Sequence, residues 1–181
     1  NRLLIGTSNG TILQRSLSDS SIVETSLISD AQTFDAITVD DYGTVWATSG
    51  CNVYYTSDGS WESYYYCPGG AIKTATDIVS TGNDVYISTY QGLHFLGFST
   101  SSGVNGTLVS VDSNVLWNTG NFLSSDKIND LQLFGSQLLI ATDNAGIDRR
   151  NLASNSWMAT WSTSNWLASN QVVGFGLTEG W

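Results

Sequence analysis

Lysine and arginine are scarce in this chain. Six residues of 181 are Lys or Arg against 16 Asp or Glu, for a net charge of −10. Binding to nucleic acid requires clustered cations that neutralise phosphates, and six scattered ones exclude it. Attraction to an anionic membrane surface is excluded for the same reason. No apolar run approaches the roughly 20 residues of a spanning helix, so membrane insertion by helices is not expected. There is one Pro (Pro68), one Met and one His (His94). Lys, Glu, Ala and Met, the residues that favour exposed helix, are all few. Two Cys and one distant His are too few ligands for a zinc site, and no metal or other cofactor is expected. G-x-S-x-G, H-E-x-x-H and a Gly-rich phosphate loop are all missing.

What is abundant is Ser and Thr, about a quarter of the chain, with 18 Gly. Val, Ile, Thr, Tyr and Trp suit a pleated, half-buried surface. Composition therefore predicts an acidic, hydroxyl-coated, all-β domain. The chain begins at Asn1 without Met and ends on Gly180-Trp181 in strand-like sequence. It reads as a processed chain or a segment of a longer one.

Internal repetition follows. A strand ending in a small residue plus Thr, then Gly within a few residues, occurs four times: Leu3–Thr7, Val45–Thr48, Val85–Thr89 and Leu138–Thr142. The Thr anchors are 41, 41 and 53 residues apart, the long step reflecting a Ser/Gly/Val insertion around Ser99–Asn114. A period of about 40–45 residues with four short strands per unit is that of a β-propeller blade. A second match is gap-free: Trp117–Ile128 aligns with Trp161–Val172 at an offset of 44, sharing W-x-T-x-N-aromatic-L-small-S-D/N-x-I/V. Reading Val172–Trp181 on into Asn1–Thr7 parallels Ile128–Thr142, with an anchor step of 46 across the join. The expected architecture is four repeats of four-stranded antiparallel blades. They are 1–33 (completed by 171–181), 34–75, 76–127 and 128–170. They form a closed four-blade ring or one period of a larger ring or array.

Ile128–Trp157 and the linker Thr163–Val172 resemble the two-component regulator propeller repeats. Those read W-x-T-x-x-x-G-L-P-S-N-x-V, then D…L-W-I-G-T-x-x-G-G-V-x-R-Y. This chain has Phe122-Leu123-Ser124 and Trp166-Leu167-Ala168 in place of Gly-Leu-Pro, and Ala145-Gly146 in place of Gly-Gly. The resemblance implies a propeller of a kind found in periplasmic sensor domains and extracellular proteins; it does not imply signalling.

Candidate residues follow from the repeats. Cys51 and Cys67 flank a hairpin turn at Asp58-Gly59, and their numbers sum to 118. Opposed residues of that hairpin sum to about 117–118, which predicts a disulfide and an oxidising compartment. Asn9-Gly10-Thr11 and Asn105-Gly106-Thr107 are N-glycosylation sequons. Asp35, Asp77 and Asp130 start three inner strands, with Gly174 at the fourth position. They are candidates for a ligand or cation site at a channel mouth, against the plainer reading that they bond backbone N–H groups. Trp61 and Trp157 are expected as wedges between blades. Asp143 and Asp148 invite a paired-carboxylate reading as a glycan hydrolase, the weakest of the alternatives.

The expected function is a non-enzymatic extracellular or cell-surface module (periplasmic also), structural, self-assembling or binding. Its partners would be copies of itself, joined through the chain ends as an oligomer or filament, or carbohydrate. The alternative is a sensor domain holding a small molecule or sugar at the central mouth.

Overall fold

The computed structural model describes residues 2–19, 21–28, 33–57, 60–67, 74–100 and 108–176, and among these there is no helix. Fifteen strands form four antiparallel sheets in chain order. The first holds β1 (Arg2–Gly6), β2 (Thr11–Ser16) and β3 (Ile22–Leu27); the second β4 (Ala36–Val39), β5 (Val45–Ser49), β6 (Asn52–Ser57) and β7 (Ser60–Tyr65). The third holds β8 (Ala75–Thr81), β9 (Asp84–Thr89), β10 (Gly92–Thr100) and β11 (Leu108–Trp117); the fourth β12 (Ile128–Phe134), β13 (Gln137–Thr142), β14 (Ile147–Asn151) and β15 (Ser156–Trp161). Each is a meander in which every strand pairs with the next.

Two expectations change. Among the described residues, the first sheet has three strands, not four. β1 ends just before Thr7 and β5 carries the matching Thr48, so the missing strand is the innermost one. Sequence of that type lies at 171–181. Its described part, 171–176, is extended but belongs to no sheet. The four sheets also do not close into a ring. Among the described residues, β4 packs on β8, β8 on β12 and, more lightly, β1 on β4, with no comparable contact from β12 back to β1. The order is an open arc.

The Thr–Gly signature has a physical cause. The Thr142 hydroxyl donates to the Gly146 carbonyl (2.8 Å) and accepts from the Ala145 N–H (3.1 Å). Thr89 does the same with Gly92 O (2.9 Å) and Gln91 N–H (3.0 Å), and Thr7 with Thr11 O (2.9 Å) and Thr11 N–H (3.1 Å). At Thr89 and Thr142 the hydroxyl is buried and satisfies the turn's backbone away from water, Thr7 is half-buried, and Thr48 at the matching position is buried without a hydrogen-bond partner among the described residues. Gly146 has φ +100°, and a Cβ there would lie 2.0 Å from the Trp161 carbonyl oxygen; at Gly92 (φ +125°) the Trp117 oxygen would be 2.3 Å away. Only glycine admits the outer strand so close.

Three apolar clusters fill the three gaps between sheets. Ile12, Ala47 and Tyr54, with Trp61 against them, lie between the first and second. Trp46, Tyr55, Val85, Ile87 and Phe98 lie between the second and third. Tyr86, Trp117, Leu131 and Ile140, with Trp157 against them, lie between the third and fourth. Trp61 faces Thr56 and Trp157 faces Arg150, equivalent ladder positions, so the two Trp are wedges between sheets.

Candidate functional site

The aspartates at the inner-strand starts join one sheet to the next. Asp77 Oδ2 accepts the Leu131 N–H (3.0 Å), across the gap between third and fourth sheets, and Oδ1 accepts its neighbour Ile78 N–H (2.8 Å). Asp130 Oδ2 accepts the Phe175 N–H (2.6 Å), on the extended segment after the fourth sheet. Asp35 Oδ2 accepts the Gly50 N–H (2.8 Å) within the second sheet, and its carboxyl also takes the N–H of Ala75 at the start of the third. Each carboxyl therefore reaches a backbone donor one repeat further on. Leu131 directly follows Asp130, and Phe175 directly follows Gly174. A side chain at 174 would crowd the latch, because a Cβ there would lie 3.1 Å from Asp130 Oδ2.

These carboxyls are poorly solvated. Burial raises the pKa of Asp35. Burial, and then the Asp130 carboxyl beside it, push Asp77 up to about 7, against the pull of the Leu131 and Ile78 N–H groups. Two adjacent carboxyls in a low-dielectric gap disfavour a second negative charge. Sequence reasoning placed these residues at matching positions but expected local backbone partners. The donors lie about 40–55 residues away, and only the packing of sheet on sheet brings them close.

Cys51 and Cys67 form a disulfide, with Cα atoms 5.4 Å apart. The β6–β7 register sums to 117, so Cys51 faces Tyr66 on the ladder, and the Tyr66 N–H donates to Cys51 O (2.9 Å). Cys67 lies one residue beyond the ladder, where the chain is free of pairing and can turn its sulfur back. The bridge sits in the apolar cluster between second and third sheets. Tyr66 also packs edge-on to His94 with centroids 4.9 Å apart, so the single His is a buried core residue.

Asn9 is exposed in the β1–β2 turn. Asn105 lies outside the described residues. Asp148, 2% exposed, accepts from the Ser124 N–H (2.8 Å), the Ser124 hydroxyl (2.6 Å) and the Thr160 hydroxyl (2.8 Å). Asp143 pairs with Lys127 (3.1 Å). The sequence singled out Asp148 only as a partner of Asp143, and in the structure the two carboxylates engage different groups. The Asp148 site is another join between sheets, because Ser124 sits in the loop arriving from the third sheet. Arg150 is buried, its guanidinium 4.3 Å from the Trp117 ring centroid and 5.2 Å from that of Trp157. Among the described residues, no three His, Cys, Asp or Glu side chains converge where a metal ion could sit.

No protein-family model matches the chain, and no curated protein matches it. In structure it is similar to the extracellular domain of a hybrid two component system protein from B. thetaiotaomicron, with a TM-score of 0.67 at 13% sequence identity. The match covers 96% of this chain and 22% of that one, so the chain spans about a fifth of the length of the protein it matches. The likeness concerns the fold, and it agrees with the resemblance to two-component regulator propeller repeats.

Proposed function

We propose that the chain is a non-catalytic propeller module working outside the cytoplasm as a rigid structural or binding unit. The observation that carries this is the use made of the inner-strand aspartates. Of Asp35, Asp77 and Asp130, the best candidates for holding a ligand at the centre, the first two each have an oxygen on a backbone N–H of the next sheet, and the third has one on Phe175 in the segment after the fourth sheet. Asp148 is likewise engaged by hydroxyls and backbone. Such groups fasten repeats together and need no substrate to account for them. The disulfide in the second sheet supports an oxidising location, as does the extracellular setting of the structurally similar protein. The exposed Asn9 sequon would then carry a glycan.

A second reading, a sensor domain with a small molecule or sugar at the centre, is favoured by that neighbour being part of a two component system. Thermal unfolding with and without millimolar Ca²⁺, a chelator and a panel of mono- and oligosaccharides separates the two. The structural reading expects midpoints unchanged within about 1 °C. A rise of several degrees with one ligand, abolished by Asp130→Asn, would transfer the assignment to the sensor reading.

A further inference from the structure

The side of the fourth sheet that faces away from the third has the features of an interface whose second half is missing. The gap between third and fourth sheets shows what such an interface contains. There the incoming loop places Phe122 flat on Trp157, centroids 5.7 Å apart and planes at 11°. Trp157 sits on the outer strand, opposite Arg150. In the next repeat of the loop, 44 residues on, Trp166 replaces Phe122; it is 77% exposed, whereas Phe122, with one face on Trp157, is 56% exposed. Val173, on the extended segment, is 79% exposed. That segment is nevertheless held in an inner-strand position: Asp130 takes the Phe175 N–H (2.6 Å) and Asn129 Nδ2 donates to Val172 O (2.8 Å).

The complementary half is carried by the first sheet. Among the described residues it has second, third and outer strands and no inner strand. At the ladder position of Trp157 it carries Ile22, opposite Arg15 as Trp157 is opposite Arg150. Ile22 is 64% exposed. A Trp without a cover and an aliphatic side chain without a cover therefore stand at the two positions that the existing interface brings together. Both stay largely exposed in the open arc that the described residues form.

We infer that a second copy of this chain docks head-to-tail, its first sheet covering the fourth sheet of the first copy. Trp166 of one copy lies over Ile22 of the other, and residues 172–176 become the inner strand beside β1. The interface repeats the one between third and fourth sheets. It adds backbone pairing along an unpaired edge, the main source of affinity in strand-addition contacts, and covers one face of an aromatic ring. Because the contact is heterologous, copies add until a ring closes or a filament grows. With −10 charges per copy, association strengthens as salt screens repulsion between copies. The inference rests on the structural reading above and names the partner for it.

The test uses two singly substituted chains, Ile22→Cys and Trp166→Cys, both keeping the native disulfide. They are treated with a short bis-maleimide, separately and mixed. Both positions are exposed, so neither substitution threatens folding, which near-ultraviolet circular dichroism verifies. The expected result is a cross-linked dimer in the mixture only, mapped to positions 22 and 166, with wild-type mass in sedimentation equilibrium rising with concentration and salt. Trp166→Ser should weaken that association at least tenfold. A wild-type mass constant at 19.5 kDa overturns the inference. So does a double variant that cross-links within one dilute chain, which would mean a closed ring of four. Either result leaves the non-catalytic reading intact, whereas a ligand-induced thermal shift would remove that reading and leave the docking result untouched.

Discussion

Two loops with nearly the same hydrogen bonds have very different surroundings. In the loop leaving the third sheet, Asn118 O accepts the N–H groups of Asn121, Phe122 and Leu123, and Asp126 Oδ1 accepts the Thr119 N–H (2.6 Å). In the loop leaving the fourth, Ser162 O accepts those of Asn165, Trp166 and Leu167, and Asn170 Oδ1 accepts the Thr163 N–H (2.7 Å). Asn121 Nδ2 donates to Leu116 O and Asn165 Nδ2 to Thr160 O, both at 3.0 Å. Yet Leu123 and Ser125 are buried in the first loop, while in the second Leu167 is half-buried and Ser169 exposed. The loop's shape is local chemistry, independent of what packs on it. Its contribution to stability comes from the next sheet.

The largest expected effect tests whether both loops depend equally on the glycine beneath them. Gly146→Ala and Gly92→Ala each force a Cβ into a Trp carbonyl at a positive φ. Each should cost about 3 kcal/mol in urea unfolding, through overpacking and backbone strain together. A loss below about 1 kcal/mol at either site would break the equivalence of the two exits.

The exit of the second sheet provides a third case, because there the fastening is covalent. The Cys51–Cys67 bridge spans a separation of 16 residues. Replacing both Cys with Ser should cost about 3 kcal/mol. Unfolding with and without reductant measures it, and an unchanged midpoint would show that packing alone closes this exit.

Smaller effects sharpen the contrast in burial. Phe122→Ala removes a stacked pair and should cost about 1 kcal/mol beyond the area lost. Trp166→Ala, measured on dilute chain, should stay within about 0.5 kcal/mol of wild type. Equal losses at the two positions would mean that Trp166 is covered in solution.

The last effect concerns pH. Asp77 has its pKa raised from 3.8 to about 7 by burial and by Asp130. The folded state therefore holds a proton that the unfolded state has released. The stability this provides is complete below about pH 4 and is lost as pH rises through 7. Asp77→Asn should flatten that slope in urea midpoints taken between pH 4 and 8. A slope unchanged by the substitution would place the titration on another group.

Much of this was legible in the residues. The Thr–Gly signature marked β1, β5, β9 and β13; at Thr7, Thr89 and Thr142 the hydroxyl serves the turn's backbone, whereas that of Thr48 is buried without a hydrogen-bond partner among the described residues. The offset of 44 identified two loops that share their hydrogen bonds. The disulfide partners were found from hairpin arithmetic, although their sum of 118 lies one off the ladder's 117, since the bridge closes just past the last pair. The reach of Asp77 to Leu131 was not legible, nor was that of Ser124 to Asp148, because the partners lie in different sheets.

The sequence by itself determined the repeat, the strand order within each sheet, the turn chemistry and the disulfide. All of these depend on residues within one unit of about 40–50, where spacing along the chain translates directly into distance. The tertiary structure decided how the units meet. It made latches of the inner-strand aspartates, stacked Phe122 on Trp157, left Trp166 and Ile22 uncovered, and kept the arc open. Contacts between units depend on the angle at which one twisted sheet packs on the next. That angle arises from the whole set of side chains in the gap, and no single motif records it.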